Sequence, residues 1–337
     1  MTGERADEPP IDPDLPIVDP HQHFWEIMPA PGSMHVAQRF LLHEMLATIE
    51  RSGHNVVQTV AVECNAMYRA DGDDALKPVG EVEFCNGMAA MSASGNYGPR
   101  RLAAGIVGSA NLMLGDAVAP VLDAEIAAAG GRLRGIRFHS AYSEAGMFGM
   151  PCDPGTAHSM LQPQYRDSAR VLARMGLTLD VWCFHTQLAE LVDLATHCPE
   201  LSIVLDHVGT LESQGGYVGR EAEAFAEWKS HIVELARRPN VVVKLGGMGM
   251  DLSGPIGAHF DNAPSERLAD KWRPRIETCI EAFGPDRCMF ESNFPPDNAA
   301  GSYGATWNAF KRVTSGCSDT EKALLFAGTA RRIYRLD

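Results

Sequence analysis

The chain has 337 residues, of which 45% are hydrophobic and 21% charged, and its formal net charge at pH 7 is −14. This length suits either one large α/β barrel or two ordinary domains. A charge this negative argues against nucleic acid and against an anionic membrane surface as partners, because both bind basic surfaces. It leaves open a small anionic substrate, since a few arginines can bind one locally.

The cysteines and the first residues give expectations about location and domain limits. No two of the eight cysteines have the C-x-x-C spacing of a zinc ribbon, an iron–sulfur site or a redox pair. With no signal-peptide pattern and no apolar run near the ~20 residues that span a bilayer, the sequence predicts a cytoplasmic protein. Residues 1–14 are acidic and proline-rich, which predicts a disordered lead-in before a single domain at 15–337.

Short apolar or β-branched runs alternate with helical stretches eight times along the chain. The strand candidates are 15–20, 55–63, 102–107, 133–138, 177–183, 201–206, 240–246 and 287–292. Segments with helical periodicity lie between them or follow the last one, at 39–52, 78–93, 117–129, 163–175, 187–197, 220–237, 264–283, 303–314 and 318–334. Eight such units predict an α/β fold, a closed (β/α)₈ TIM-type barrel with extra C-terminal helices. A doubly wound sheet is the alternative, but it would usually carry a glycine-rich turn after its first strand.

Strand 1 ends in two histidines, His21 and His23. Residues two apart in a strand point to the same face, so both imidazoles are expected to project side by side. This spacing suits two ligands of one metal ion or two donors to one anion. A pair of exposed loop histidines is the alternative explanation.

Polar residues also follow the other strands. In a barrel, catalytic residues gather where strands end, and a polar side chain inside a strand costs free energy unless it is paired. The sequence places at these ends Glu63, Arg134, Arg137, His139, His185, Asp206, His207, Lys244, Glu291 and Asn293. Lys244 is expected to form a salt bridge inside the barrel. Arg137 shares its parity with His139 and is expected to face the pocket, whereas Arg134 points to the opposite side.

The ordered set of motifs resembles the amidohydrolase superfamily. It comprises the D-x-H-x-H of strand 1, the R-G-I-R of strand 4, His185, the L-D-H of strand 6 and the closing S-N-F-P. The resemblance covers roughly residues 15–335. It is strongest to the amidohydrolase-related branch (amidohydrolase 2), which includes 2-pyrone-4,6-dicarboxylate lactonase and sugar-acid lactonases. It implies a (β/α)₈ barrel that hydrolyses a C–O or C–N bond in a cyclic or acyl substrate.

The resemblance also implies a set of metal ligands, and this sequence matches only part of that set. The family's metal-binding histidines match His21, His23 and His185. Its strand-8 aspartate, which binds metal and takes a proton from water, corresponds to Asn293, and a neutral amide cannot act as a general base. No lysine at the end of strand 4 could bridge two metals. We therefore expect one divalent metal, Zn²⁺ or Mn²⁺, and a reaction that can proceed without it.

Two mechanisms are consistent with these residues. In one, His21, His23 and His185 hold a metal that lowers the pKa of a bound water toward ~7. In the other, histidines and arginines polarise the carbonyl oxygen directly, each donor lowering the barrier by about 3 kcal/mol. A lactone is activated enough for the second route, so the sequence leaves both open.

The remaining roles follow from position along the strands. His207 is the favoured general base because it lies nearer the mouth than Asp206, and Glu63 is another candidate. Glu291 is expected one layer deeper, where it would orient other groups. Asn293 is expected to orient the water. The expected catalytic residues are thus His185, His207 and Asn293, and the expected substrate-binding residues are Arg137, His139, Glu63 and Tyr142.

The sequence thus predicts a hydrolase that opens a lactone or related cyclic ester carrying a carboxylate or hydroxyl groups. Its partner is a small molecule, and assembly into a homo-oligomer is a further expectation. The alternative within the fold is a zinc-dependent decarboxylase of an aromatic or unsaturated acid, which would also use the aspartate that Asn293 replaces. An alternative of another class is a barrel without catalysis that acts as a binding protein.

Overall fold

The computed structural model describes residues 8–27, 38–250, 252 and 261–336. Within these ranges the strands are β1 Ile17–Gln22, β2 Trp25–Ile27, β3 Gln38–Phe40, β4 Val56–Val62, β5 Arg101–Ser109, β6 Leu133–Arg137, β7 Thr178–Val181, β8 Ile203–Leu205, β9 Val241–Leu245 and β10 Cys288–Phe290. Eight of them form one sheet in the order β1-β4-β5-β6-β7-β8-β9-β10, each parallel to its neighbour. All eight predicted strands are confirmed, and β2 pairs with β3 as a separate antiparallel ribbon.

A helix follows each strand of this sheet. The α-helices are α1 Leu42–Ser52, α2 Val79–Ala93, α3 Ala119–Ala128, α4 Pro163–Arg174, α5 Leu188–His197, α6 Glu221–Leu235, α7 Ser265–Phe283, α8 Tyr303–Val313, α9 Asp319–Ala323 and α10 Thr329–Tyr334. The helix expected at 39–52 begins only at Leu42, because Gln38–Phe40 pairs with β2 instead. The segment expected at 318–334 is divided by a π-helical turn at Leu324–Gly328.

The barrel closes between its first and last strands. The backbone N–H of Asn293 donates to the His21 carbonyl at 2.9 Å, and the N–H of His23 donates to the Phe294 carbonyl at 2.9 Å. Asp19, buried in β1, accepts from the Ser292 N–H at 3.0 Å. The predicted (β/α)₈ barrel with additional C-terminal helices is therefore confirmed, and these contacts hold the ends of β1 and β10 together.

Two apolar clusters hold the strands that carry the site. The larger fills the space between the strands and the surrounding helices. The smaller lies inside the barrel, where Val18, Val60 and Val242 pack with Ile333 and Tyr334 of the C-terminal segment. Because these valines precede the ends of their strands, α10 closes the end of the barrel opposite the histidines. Burial of these apolar side chains holds the strands in place, and the strands in turn position the polar side chains at their ends.

The N-terminal residues that the structure describes lie against the helices. Glu8 accepts from the Ser265 N–H at 2.7 Å, and Lys311 of α8 donates to the Ile11 and Asp12 carbonyls at 2.8 and 2.9 Å. The division between a lead-in and a domain at residue 15 stays a prediction, and residues 1–7 lie outside the described ranges. Among the described helices, none combines the length and the apolar character needed to cross a membrane.

Candidate functional site

The two histidines of the first strand lie side by side at the mouth of the barrel. His21 and His23 are both buried, and their ring centroids are 4.9 Å apart in an edge-to-face arrangement. A third imidazole, that of His207, follows β8 and has its centroid 4.7 Å from that of His21. Three imidazoles from two strand ends therefore line one small region.

Glu291, which follows β10, joins two of these rings. Its Oε2 lies 2.8 Å from His21 Nδ1, and its Oε1 lies 2.7 Å from His207 Nδ1. The His207 backbone N–H also donates to Oε1, at 3.1 Å. Burial alone would raise the pKa of Glu291, but the charges of His207 and His21 outweigh burial and hold that pKa well below its usual range. An ionised carboxylate against Nδ1 fixes the hydrogen of His207 there and leaves Nε2 as the basic nitrogen.

The backbone that carries His207 adopts an unusual conformation. His207 and Val208 have φ values of 58° and 54°, a region that residues with a Cβ rarely occupy. Trp228 Nε1 donates to the Val208 carbonyl at 2.7 Å and holds this turn. Gly247, which follows β9, makes room for the ring, since a Cβ there would lie 2.0 Å from His207 Nδ1. The strained backbone at His207 and Val208 therefore sets the direction of the His207 imidazole.

Lys244 forms a buried ion-pair network beneath the histidines. Its Nζ lies 2.8 Å from Asp180 Oδ2, 3.0 Å from Asp206 Oδ1 and 3.1 Å from His21 Nδ1. Burial would lower the pKa of Lys244, but the two aspartates more than offset it and raise that pKa. The expected salt bridge inside the barrel is present. Tyr334 of α10 donates to the same Asp180 oxygen at 2.5 Å, which links the network to the C-terminal helix.

Arg137, at the end of β6, is held by protein groups. Its Nε donates to Glu63 Oε1 at 2.6 Å, and its Nη2 donates to the Glu63 carbonyl. Its Nη1 lies 3.5 Å from Asp206 Oδ2 and 3.3 Å from His21 Nε2. The Nε–Nη2 edge, with which an arginine binds a carboxylate in bidentate fashion, is therefore taken by Glu63. The substrate-binding role expected for Arg137 stays a prediction, and the contacts give it a structural one.

His23 belongs to a chain of hydrogen bonds that includes a residue missed in the sequence. Its Nδ1 lies 2.8 Å from the Val62 carbonyl, and its Nε2 lies 3.2 Å from Asn293 Oδ1. Asn293 Nδ2 donates to Asp297 Oδ1 at 2.8 Å. Asp297 follows the S-N-F-P motif within a turn and is buried, so the extension of that motif to S-N-F-P-P-D was the available signal.

The other expected residues lie around this centre. His185 is buried with its ring centroid 4.8 Å from that of Tyr217, and its Nδ1 accepts from the Glu212 N–H at 3.0 Å. His139 is half-exposed, with its Nε2 3.8 Å from Glu63 Oε2. Tyr142 is half-buried in the loop after β6. The described contacts do not bring His185 together with His21 and His23.

One group in the described part of the chain brings three metal-capable side chains within 4.8 Å of one another, and it consists of His21, Asp206 and His207. It shares only His21 with the ligand set expected from the sequence. Imidazole nitrogens with a carboxylate oxygen suit Zn²⁺ or Mn²⁺. The buried network contains more carboxylates than fixed cations, so it accommodates added positive charge. The donor set therefore fits a divalent ion, which would compete with Lys244 and Arg137 for Asp206.

Comparison with known proteins gives a consistent result. The family model described as Amidohydrolase matches residues 18–336. An uncharacterized protein, y4mH, of Sinorhizobium fredii is 31% identical over 96% of this chain and 99% of its own. The L-fucono-1,5-lactonase of Burkholderia multivorans is 28% identical over 95% of this chain and 96% of its own.

A solved structure has the same fold. It is an amidohydrolase from Burkholderia multivorans with bound zinc, 23% identical to this chain, with a TM-score of 0.72 and coverage of 95% of this chain and 99% of its own. The family match extends over the strands that carry the histidines, Asp206 and Asn293. The chain belongs to the amidohydrolase family.

Proposed function

We propose that this protein hydrolyses a small lactone, with His207 as the general base that activates water. The observation that carries the proposal is the carboxylate of Glu291 placed between the Nδ1 atoms of His207 and His21, at 2.7 and 2.8 Å. A buried carboxylate that orients an imidazole is the arrangement in which the second ring nitrogen accepts a proton. A lactonase is also the activity named for one relative that aligns along nearly the whole chain.

The reaction needs few groups. His207 Nε2 takes a proton as water adds to the lactone carbonyl carbon, and the ring C–O bond then breaks. The same proton passes to the departing alkoxide, so that the product is a hydroxy acid. The positive charges of Arg137 and Lys244 lie next to His21 and favour negative charge developing on the carbonyl oxygen. Asn293 would orient the water through its amide.

The substrate that suits this site best is a lactone with several hydroxyl groups. Glu63 occupies the edge of Arg137 that would bind a substrate carboxylate. At the rim, His139 and Asn65 lie 3.1 Å apart and offer polar groups to a hydroxyl rather than a fixed positive charge. Glu63 Oε2, buried and with no hydrogen-bond partner among the described residues, is a further acceptor. Tyr142 is proposed as part of the same wall.

A divalent metal is proposed as an optional component. An ion held by His21, Asp206 and His207 would occupy the nitrogen that His207 otherwise uses as a base, and it would then be the ion that polarises the carbonyl and lowers the pKa of water. Lys244 and Arg137 already pair with Asp206, so two fixed cations lie beside the site without a metal. We therefore expect purified protein treated with a chelator to retain activity.

The test is an assay of acid release with aldono-1,5- and aldono-1,4-lactones, each corrected for its spontaneous hydrolysis. Wild-type protein should open at least one of them, and His207→Gln should lower kcat by about 100-fold or more. A 2-pyrone dicarboxylate and a dihydroxybenzoate are assayed in parallel. Carbon dioxide release from the aromatic acid without any lactone opening would reject the proposal in favour of a decarboxylase. Lactone binding without turnover would indicate a binding protein.

His185 is tested in the same assay. If it contributes to catalysis or metal binding, as the family pattern implies, His185→Gln should lower kcat to a similar extent as His207→Gln. A wild-type rate would instead assign the ring to its packing against Tyr217.

A further inference from the structure

Trp182 is the only tryptophan of this chain that is not buried. The chain has five tryptophans, and all five lie in the described ranges. The other four are at most 4% exposed, and they are Trp25, Trp228, Trp272 and Trp307. Trp182 is half-buried and takes no part in the proposed reaction. Its exposed surface therefore needs an explanation other than packing in the core.

Trp182 lies at the mouth of the barrel, beside the proposed base. Asp180, two residues earlier, points into the barrel, where it meets Lys244. Residues two apart in an extended segment point to the same side, so Trp182 continues this inner face toward the mouth. Its ring centroid lies 6.0 Å from that of His207, at an interplanar angle of 70°. The indole thus borders the space next to the imidazole.

The indole is fixed, and its polar atom is already paired. Nε1 donates to Thr210 Oγ1 at 2.9 Å. The ring centroid also lies 6.4 Å from that of Phe184 and 6.0 Å from that of Phe148. Because Nε1 is the single polar atom of an indole, the ring offers only carbon to a ligand. A side chain that is held in this way loses little freedom when a ligand binds.

Phe148 extends this carbon surface from a different loop. It belongs to the loop after β6, and its backbone N–H donates to the Leu252 carbonyl, in the segment after β9, at 2.7 Å. The contact ties the two loops to each other beside the mouth. Trp182 and Phe148, the aromatic pair, thus form one apolar side of the site.

Hydrogen-bonding groups lie at another part of the mouth. Glu63 and Asn65 follow β4, and two strands, β5 and β6, separate β4 from β7 in the sheet. Glu63 Oε2 has no hydrogen-bond partner among the described residues, and Asn65 Nδ2 lies 3.1 Å from His139 Nε2. A ring bound over His207 would meet carbon on the β7 side and polar groups on the β4 side. Pockets of this mixed kind hold a ligand in one orientation.

We propose that the aromatic pair determines specificity by contacting the face of a hydroxylated lactone ring that carries C–H bonds. The inference rests on the proposed function for the class of ligand. In such a ring the configuration at each carbon decides whether a hydrogen or a hydroxyl group points to a given face. An epimer that turns a hydroxyl group toward the indole would bury it without a partner, which should weaken binding by about tenfold or more.

The first test needs no turnover. D-glucono-1,5-lactam and D-galactono-1,5-lactam differ at one carbon, and their amide bond reacts with water far less readily than an ester. Acrylamide quenching of tryptophan fluorescence reports mainly on Trp182, since the other four indoles are buried. At saturation with the lactam that binds more tightly, the quenching constant of wild-type protein should fall by about twofold or more. Trp182→Phe should lose both the accessible signal and its protection.

The second test compares affinity with turnover. Trp182→Leu keeps an apolar side chain but removes the flat ring, so KM for the preferred lactone should rise by about tenfold while kcat changes by less than about threefold. Trp182→Phe should raise KM less. The Kd values of the two lactams, measured by calorimetry, should differ by about tenfold or more in wild type and converge in Trp182→Leu. A role in packing alone would leave this preference unchanged.

Tyr97→Leu is the matched control. Tyr97 is a half-buried aromatic residue that follows α2 and has its ring 5.4 Å from that of His43, away from the barrel mouth. This variant should keep the wild-type KM and the wild-type preference between the two lactams.

The outcomes separate this inference from the proposed function. Protection of Trp182 by a lactam in a protein that opens no lactone would support the aromatic pair and reject the lactonase. Lactone hydrolysis with the same KM and epimer preference in Trp182→Leu as in wild type would overturn the inference and leave the lactonase standing. Quenching that neither lactam changes would also overturn it. So would protection by a 2-pyrone dicarboxylate alone, which would assign the indole to flat unsaturated rings.

Discussion

Glu291 and His207 form a carboxylate–imidazole pair in which Oε1 lies 2.7 Å from Nδ1. The second oxygen of the carboxylate meets His21, so one buried charge orients two rings that come from opposite sides of the barrel seam. A pair of this kind places the basic nitrogen of His207 at a fixed position, which is what a general base requires.

Replacing Glu291 by glutamine should abolish the proposed lactone hydrolysis without unfolding the protein. The amide keeps the size of the side chain but removes the charge that holds the hydrogen of His207 on Nδ1. We expect kcat for lactone opening to fall about 100-fold or more, with KM changed much less. Glu281→Gln, an exposed change on α7, is the matched control and should behave like wild type. A variant Glu291→Gln with normal kcat and a normal circular dichroism spectrum would contradict the assignment of His207 as base.

Gly247→Ala should damage the site through a steric effect. The new Cβ would lie 2.0 Å from His207 Nδ1, and the φ of +64° at this position is unfavourable for alanine. His207 must then move away from Glu291. We expect kcat to fall by at least about tenfold and the free energy of unfolding to fall by about 1–3 kcal/mol. Gly316→Ala, where no atom lies within 4 Å of the added Cβ, is the control. Equal activities of the two variants would show that the space beside His207 is not needed.

Lys244→Met should destabilise the fold. Removal of the ammonium leaves Asp180 and Asp206 buried without their shared cation, and the loss of one partner of a buried ion pair typically costs about 3–5 kcal/mol. Urea unfolding measures the difference. Lys271→Met changes an exposed lysine on α7 and should cost little. If both variants unfold at the same urea concentration, the network does not contribute to stability as its burial suggests.

His54 should make stability depend on pH at a position remote from the site. Burial, together with the Lys311 ammonium, lowers the pKa of His54 to about 4. Because the unfolded chain binds a proton near pH 6.5 and the folded protein only near pH 4, stability falls as pH decreases across this window. The loss should reach about 3 kcal/mol at most.

His54→Gln should lessen this dependence by the contribution of His54, because glutamine can donate to the Gly304 carbonyl and accept from Lys311 without titrating. Urea unfolding at about pH 4.5 and pH 7 measures the change. His43→Gln, an exposed substitution on α1, should keep the wild-type pH dependence. A wild-type dependence in His54→Gln would assign the acid sensitivity to other groups.

Local sequence was sufficient for the architecture of this protein. Buried parallel strands are continuous apolar runs, and helices between them repeat every 3.6 residues, so both patterns can be recognised without a partner segment. The same alternation showed which polar residues follow the strands, including His21, His207 and Glu291. The helix predicted from residue 39 was wrong at its start, because Gln38–Phe40 forms a short strand that depends on pairing with β2.

The contacts between residues at different strand ends could not be predicted from local sequence, because they form only when the barrel closes. Glu291 follows β10 and His207 follows β8, and no local pattern indicates that one carboxylate oxygen meets each of two rings. Nor does a sequence show that Glu63 occupies the binding edge of Arg137. Asp297 could be recognised as part of the site only from the structure, where it is buried and accepts a hydrogen bond from Asn293. Side-chain order along a strand is a property of adjacent residues, whereas hydrogen-bond partners and shifted pKa values depend on distances that only tertiary packing sets.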